Sequence, residues 1–242
     1  MYKKSPLVII VIPTYNEREN LPILIKELAE LGLDRWQVLV VDDNSPDGTG
    51  ELAEKLSRQY PLTVIHGQAK AGIGIAYRNG FAAALAKKPD IIIQMDADLS
   101  HSPRVIPQMI KRLKRYDLVI GSRYIPGGGI KNWQWSRRAI SKYANLFVRL
   151  LLRSKVHDLT TGFKAFSRFA LERLPLERLS SVGYNFQIEV TVACERLGLA
   201  IGEIPIIFTE RKKGKSKFAL KIILESALRV FLLFFKDVFK GR

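Results

Sequence analysis

Leu7-Val8-Ile9-Ile10-Val11-Ile12 runs six apolar residues straight into Pro13-Thr14-Tyr15-Asn16-Glu17, and Gln37-Val38-Leu39-Val40-Val41 runs in the same way into Asp42-Asp43-Asn44-Ser45-Pro46-Asp47-Gly48. Neither run alternates apolar with polar residues, so each reads as a strand buried on both faces, as in a parallel sheet covered by helices. Working outward, further strands are expected at Leu62–His66, Ile91–Met95 and Leu118–Gly121, with helices between them at Arg18–Leu31, Thr49–Gln59, Ile75–Ala86 and Pro103–Lys114. The alternation predicts a doubly wound α/β fold. Ligands of such sheets bind beyond the carboxyl ends of the strands, where the polar runs of this chain fall. After Gly121 the rhythm breaks. Gly127-Gly128-Gly129 marks a flexible loop and Ser136–Arg153 an amphipathic segment. Asp158-Leu-Thr-Thr-Gly-Phe163 follows, then a helix near Phe186–Leu197, a strand at Ala200–Phe208, and the basic run Arg211–Lys217 ahead of a last helix.

Composition narrows the function classes. The 242 residues contain one cysteine, Cys194, which excludes an internal disulfide and a thiolate metal cluster. Net charge is +16, unevenly spread: residues 1–100 carry 11 Lys/Arg against 13 Asp/Glu, whereas residues 101–242 carry 28 against 10. That asymmetry points the second part at a polyanion, either nucleic acid or an anionic membrane surface. Lys3 and Lys4 before Leu7–Ile12 resemble the start of a signal peptide, but the apolar run is short and no small-residue cleavage site follows, so neither secretion nor a membrane span is expected. In the last segment Lys221, Glu225, Arg229, Lys236 and Lys240 fall near one stripe and Leu, Ile, Val and Phe fill the rest. This suits a helix lying in a lipid headgroup region, or one packed on protein.

Four motifs carry chemistry. Pro13–Glu17 ends the first strand and serves equally well as a helix-capping turn through Asn16. Val41-Asp42-Asp43 through Gly48 has two adjacent carboxylates where a cap needs one, and an acidic residue after such a strand commonly grips a ribose or base. Gln94-Met95-Asp96-Ala97-Asp98 places alternating carboxylates at a strand end. Both can turn toward one hard cation that bridges to a diphosphate, and a capping role for Asp98 or Ser100 does not account for Asp96. The fourth is a set of cations in Gly121-Ser-Arg123-Tyr124, Arg137-Arg138 and Arg211–Lys217, suited to phosphate oxygens. Gly214-Lys-Ser lacks the earlier P-loop glycine, and Gly72-Ile-Gly74 has Tyr77 where a dinucleotide fingerprint needs glycine. His66, His101 and His157 lack ligand spacing, and Cys194 reads as packing.

Taken in order, PTYNE, VDDNSPDGT, the DAD triplet, GSRY, DLTTGF and ERKKGKSK resemble family 2 glycosyltransferases. GSRY, Trp133–Asn145, Gly183–Glu189 and the final basic motif resemble, more narrowly, the dolichol-phosphate or polyprenol-phosphate mannose synthases. The resemblance implies a Rossmann-like GT-A domain over residues 1–217, with residues 218–242 as a basic amphipathic helix. It implies inverting transfer of mannose from GDP-mannose to a polyprenyl or dolichyl monophosphate. By motif match, Pro13, Tyr15, Glu17, Val41 and Asp43 contact the nucleoside. Asp96 and Asp98, with Ala97 between them and Ser100 as a possible further ligand, hold Mg2+ or Mn2+ against the diphosphate. Arg211 and Lys217 clamp that diphosphate, and Arg123, Arg137 and Ser141 receive the acceptor phosphate. Asp98, Arg123, Arg137 and Arg211 are the expected catalytic residues.

The chemistry is consistent. A phosphate monoester arrives with roughly −1.5 to −2 charge at neutral pH, so it needs alignment and charge compensation rather than a general base. Peripheral attachment at the cytoplasmic face of a membrane is the expected location, since the acceptor lives in a bilayer and the donor is a nucleotide sugar. The same fold using UDP-glucose is the nearest alternative. Nucleic-acid binding, suggested by charge alone, is disfavoured because paired carboxylates repel phosphate unless a cation intervenes.

Overall fold

A computed structural model describes residues 5–183 and 185–210. Arg211, Lys217 and the expected helix over residues 218–242 lie outside the described residues. The expected strands form a parallel run, with β3 at the sheet edge: β1 (Val8–Thr14), β2 (Trp36–Asp42), β3 (Leu62–His66) and β4 (Ile91–Gln94) pair in the order β3-β2-β1-β4. Helices α1 (Leu21–Ala29), α2 (Thr49–Leu56) and α3 (Ile73–Ala86) make the crossovers; after β4 come a 3-10 turn at Pro103–Val105 and α4 (Ile106–Arg112). Successive side chains of β1 point to opposite faces, so Val8, Ile10 and Ile12 join α1 through Leu21, Leu24, Ile25 and Leu28. Ile9 and Val11 join α3 through Tyr77, Phe81 and Ala84. Both faces are covered, which is why β1 and β2 show no alternation.

The second part departs from simple βαβ order. β5 (Leu118–Ser122), β6 (Gly129–Lys131), α5 (Trp135–Leu151), β7 (Lys164–Ser167), α6 (Arg168–Arg173), α7 (Asn185–Arg196), β8 (Ile201–Pro205) and β9 (Ile207–Thr209) follow in sequence. β7 slots antiparallel between β4 and β5, completing a mixed seven-stranded sheet in the order β3-β2-β1-β4-β7-β5-β8. No strand was expected there: Lys-Ala-Phe-Ser is short and opens on a lysine, and only its two long-range partners make it a strand. The strand expected over Ala200–Phe208 divides at Ile206. β8 stays in the main sheet, whereas β9 turns away to pair with β6, which begins at Gly129 inside the expected flexible loop. The first helix starts at Leu21 rather than Arg18, and Asn16, the expected cap, sits instead in the left-handed region at φ +61°. The Ser136–Arg153 segment is helical, as α5.

The ends of β1 to β5 and β8, and the start of the reversed β7, share one edge of the sheet: Thr14 pairs with Asp42, Asp42 with His66, Gln94 and Ile120 with Lys164, and Ser122 with Pro205. Because β7 runs backwards, it delivers the Asp158–Phe163 loop to that edge. Two glycines set α3 flush against its neighbours. A Cβ on Gly80 would lie 2.3 Å from Val11 Cγ1, and one on Gly74 would lie 2.1 Å from the Ser181 carbonyl oxygen. Among the described residues no helix is long and apolar enough to cross a membrane.

Candidate active site

Beyond β2 and β3 lies a cleft of about 300 Å³ lined by Val41, Asp43, Ile65, Gln68, Ala71 and Asn79 among others. Asp43 does not hang free in it: its carboxylate accepts the Ala71 N–H at 2.8 and 2.9 Å and the Gly72 N–H at 2.8 Å. It thereby ties the loop before α3 to the end of β2. Its neighbour Asp42 is spent on structure, accepting from Thr14 Oγ1 at 2.9 Å, Ser45 N at 3.0 Å and Ser45 Oγ at 2.6 Å. Of the five residues assigned to the nucleoside, Val41 and Asp43 line this cleft; Pro13, Tyr15 and Glu17 do not. They lie on the adjoining end of β1, where the Tyr15 ring carries Lys70 Nζ 3.7 Å from its centroid and the Glu17 N–H bonds Thr49 Oγ1 at 3.0 Å. Asp47 caps this corner. Burial alone would raise its pKa, but hydrogen bonds from the Thr49 hydroxyl and the Arg18 and Thr49 N–H groups hold it below the ordinary carboxylate value.

Asp96 and Asp98 follow β4, and the chain bends just beyond them, with Leu99 at φ +62°. Asp98 is buried and its Oδ1 accepts the Ser100 N–H at 3.0 Å, so it closes its own turn and does not cap the 3-10 turn that begins at Pro103. The Asp96 side chain is 21% exposed. Its Oδ1 accepts the Tyr77 hydroxyl at 2.7 Å, and His101 Nδ1 stands 4.0 Å from Oδ2. Burial, then the charges of Asp96 and Asp98, push the Tyr77 phenol well above its ordinary pKa, so the hydroxyl is a fixed donor. His101 is buried, stacked on Phe163 at 5.1 Å and edge-on to Phe208. Burial holds its imidazole pKa down against the two carboxylates. Two buried polar atoms here, Ser100 Oγ and His101 Nδ1, have no hydrogen-bond partner among the described residues. Hard oxygen donors beside orphaned polar atoms fit a divalent cation with its water. Among the described residues no group of three His, Cys, Asp or Glu surrounds one point.

Arg123 is buried against Asp158: its N–H, Nε and Nη2 reach the carboxylate at 3.0, 2.7 and 2.8 Å, and Nη2 also donates to Thr160 Oγ1 at 2.6 Å. Burial alone would lower the Arg123 pKa, but Asp158 more than offsets it and the guanidinium is held above its ordinary value. Burial likewise acts to raise Asp158, and Arg123 prevails, holding the carboxyl below its ordinary value. Arg137 stacks over Trp133 at 3.9 Å and ion-pairs with Glu210, while Ser141 Oγ shares a 2.8 Å hydrogen bond with Tyr124 OH. Phe208 of β9 joins these groups to the carboxylates, touching His101, Trp133 and the Arg123 guanidinium. Arg123, Arg137 and Ser141 therefore share one wall with the Asp96 loop.

Several residues packed against these groups have no role in the sequence motifs: Tyr77 figures there only as the residue that breaks a dinucleotide fingerprint, Asp158 falls in a motif with no role attached, and His101 lacks ligand spacing. Lys164, at the head of β7, is fully buried; Nζ donates to the Thr161 carbonyl and, at 2.9 Å, to Gln187 Oε1, which also accepts from Gln94 Nε2. Burial pulls its pKa from 10.5 to about 7. Cys194 is packing, as expected: burial pushes its thiol up to about 12.

Residues 9–175 match Glycosyl transferase family 2. The chain is 42% identical to the polyprenol monophosphomannose synthase of Mycolicibacterium smegmatis over 225 residues, 92% of this chain and 84% of that protein. It is 41% identical to the undecaprenyl-phosphate mannosyltransferase of Micrococcus luteus over 224 residues, 92% of each. Among solved structures it resembles the glucosyl-3-phosphoglycerate synthase of Mycobacterium tuberculosis in complex with Mn2+, UDP-glucose and phosphoglyceric acid (TM-score 0.70, 20% identity, 95% of this chain and 79% of that one). It also resembles a mannosyltransferase of Pyrobaculum calidifontis in complex with GDP-Man and Mn2+ (TM-score 0.66, 18% identity, 98% and 65%). A cleft beyond the strand ends, two carboxylates after β4 and two ion-paired arginines on one edge of a mixed α/β sheet are thus found in a chain whose family match covers most of its length: the protein belongs to glycosyl transferase family 2.

Proposed function

We propose that the protein moves mannose from GDP-mannose to a polyprenyl monophosphate at a membrane surface, with inversion at the anomeric carbon. Near-full-length identity to two enzymes named for polyprenyl-phosphate mannosylation supports the sugar and the acceptor class. One structural observation carries the lipid acceptor. On α5 the inner face is polar and anchored: Arg137 pairs with Glu210, Ser141 with Tyr124, and Asn145 bonds the Leu159 N–H at 3.0 Å. The outer face presents Trp135, Ile140, Tyr143, Leu146, Phe147 and Leu150 to solvent, with Trp135 82% and Leu150 68% exposed. So large an apolar surface, flanked by Arg138, Lys142, Arg149 and Arg153, is suited to a headgroup region. In this reading it offers a polyprenyl chain a path beside the residues assigned to its phosphate. In this reading the surface is the cytoplasmic one, where a nucleotide sugar is the donor.

The chain's own residues divide the work. Val41 and Asp43 form the wall for the nucleoside; Asp96 and Asp98 would hold Mg2+ or Mn2+. When bound, that cation neutralises diphosphate charge and assists departure of GDP. Arg123 and Arg137 offset repulsion between acceptor phosphate and donor diphosphate. Arg123 does so with its orientation locked by Asp158, so its alignment costs little when the acceptor arrives. The acceptor oxyanion is its own nucleophile, and buried, neutral His101 has no proton to take from it. Arg211 and Lys217 complete the clamp on the diphosphate in this proposal.

The test is transfer of label from GDP-mannose into an organic-extractable product, with purified protein, a polyprenyl phosphate and Mn2+, and UDP-glucose in parallel. Label from GDP-mannose that EDTA abolishes is the expected result. Label from UDP-glucose alone overturns the donor, and no transfer from either overturns the lipid-phosphate acceptor.

A further inference from the structure

We infer that Tyr77 is a positioning residue whose hydroxyl holds the Asp96 carboxylate in the orientation that receives the divalent cation; this rests on the cation site proposed above. Tyr77 is fully buried on α3, far in sequence from the motif it serves, and its hydroxyl reaches Asp96 Oδ1 at 2.7 Å. Its ring packs in a three-ring cluster with Phe81 and Phe186, 5.8 Å from each centroid, with those two 6.3 Å apart and the Phe186 plane only 6° off parallel to it. The core therefore aims the hydroxyl, and Gly80 sets the depth of α3 by allowing it to touch Val11 and Val41. On the other side, a Cβ on Gly162 would stand 2.6 Å from Asp96 Oδ2, so the backbone of the Asp158–Phe163 loop closes on that oxygen. The carboxylate is bounded by a donor on one oxygen and bare backbone on the other. A carboxylate ligand restrained before the cation arrives loses less rotamer freedom on binding, and outer partners of this kind change metal affinity by roughly 10–100-fold.

The experiment measures Mn2+ binding to the full chain in the presence of GDP, by loss of the free Mn2+ electron paramagnetic resonance signal. Wild type is compared with Tyr77→Phe, which keeps the ring stack and removes only the hydroxyl, and with Phe81→Leu, which loosens the stack and keeps the hydroxyl. Tyr77→Phe is expected to bind roughly tenfold or more weakly than wild type, with turnover recovering toward wild type as Mn2+ is raised. Phe81→Leu is expected to lower the melting temperature and leave the affinity within about twofold. Equal affinity of wild type and Tyr77→Phe overturns the role of Tyr77 and leaves the cation site standing. An equal loss in both variants also overturns it, since packing would then be the cause. No Mn2+ binding by wild type overturns the cation site itself.

Discussion

Replacing Lys164 by methionine should make the protein more stable below neutral pH and lose that advantage as pH rises. Nζ is fully buried, and hydrogen bonds among the described residues account for two N–H donors, to Thr161 O and Gln187 Oε1. A neutral amine has two N–H groups and is satisfied by that pair; an ammonium has a third and a charge that burial penalises. The folded pKa accordingly falls from 10.5 to about 7. The sign follows from linkage. Between those values the unfolded chain holds the proton more tightly than the folded one, so stability rises with pH through that window. The penalty is fully present below about pH 7 and is gone near pH 10.5. Its slope reaches about 1.4 kcal/mol per pH unit, or about 3 kcal/mol from pH 6 to 9.5. Methionine fills nearly the same volume, strands one carbonyl, and removes the titration. Urea melts of both proteins at about pH 6, 7, 8 and 9.5 isolate the effect, because every other group titrates alike in the two. The difference in unfolding free energy, variant minus wild type, should fall by about 3 kcal/mol across the series. A difference that stays flat with pH would refute the reasoning, since Lys164 would then carry an ordinary pKa despite its burial.

Other outcomes follow from the same geometry. Asp158→Ala strands the buried Arg123 guanidinium and should cost about 3–5 kcal/mol, read as a melting temperature roughly 10 °C lower; a shift within about 2 °C would show the pair to be solvated. Arg123→Ala should lose comparable stability and, assayed well below its melting point, raise KM for the polyprenyl phosphate more than KM for the donor. Asp98→Ala should abolish turnover even in saturating Mn2+, and wild-type-like rates would remove Asp98 from the site. Leu150→Glu on the outer face of α5 should weaken binding to anionic vesicles several-fold while leaving the melting temperature within about 2 °C, because its side chain is 68% exposed; unchanged vesicle binding would take α5 off the membrane.

What the sequence determined alone was whatever burial writes into a local run. β1, β2 and β4 are legible because a strand covered on both faces must be apolar at successive positions, and the carboxylate motifs are legible because they end those strands. Asp96 and Asp98 directly follow β4, and Arg123, Arg137 and Ser141 gather around Phe208, Trp133 and Tyr124. Tertiary structure decided the rest, since its causes lie far apart in the chain. Lys-Ala-Phe-Ser becomes a strand only because β4 and β5 leave it a lane, and its reversed direction brings Asp158 to Arg123, 35 residues away. Tyr77 meets Asp96 because α3 lies flush on β1 at Gly80, and Phe208 meets His101 because the chain leaves the main sheet at Ile206 to pair with β6. A polar side chain's role is set by the partner that satisfies it. For Tyr77, Asp158 and Lys164 that partner is chosen by register and packing, which no local pattern encodes.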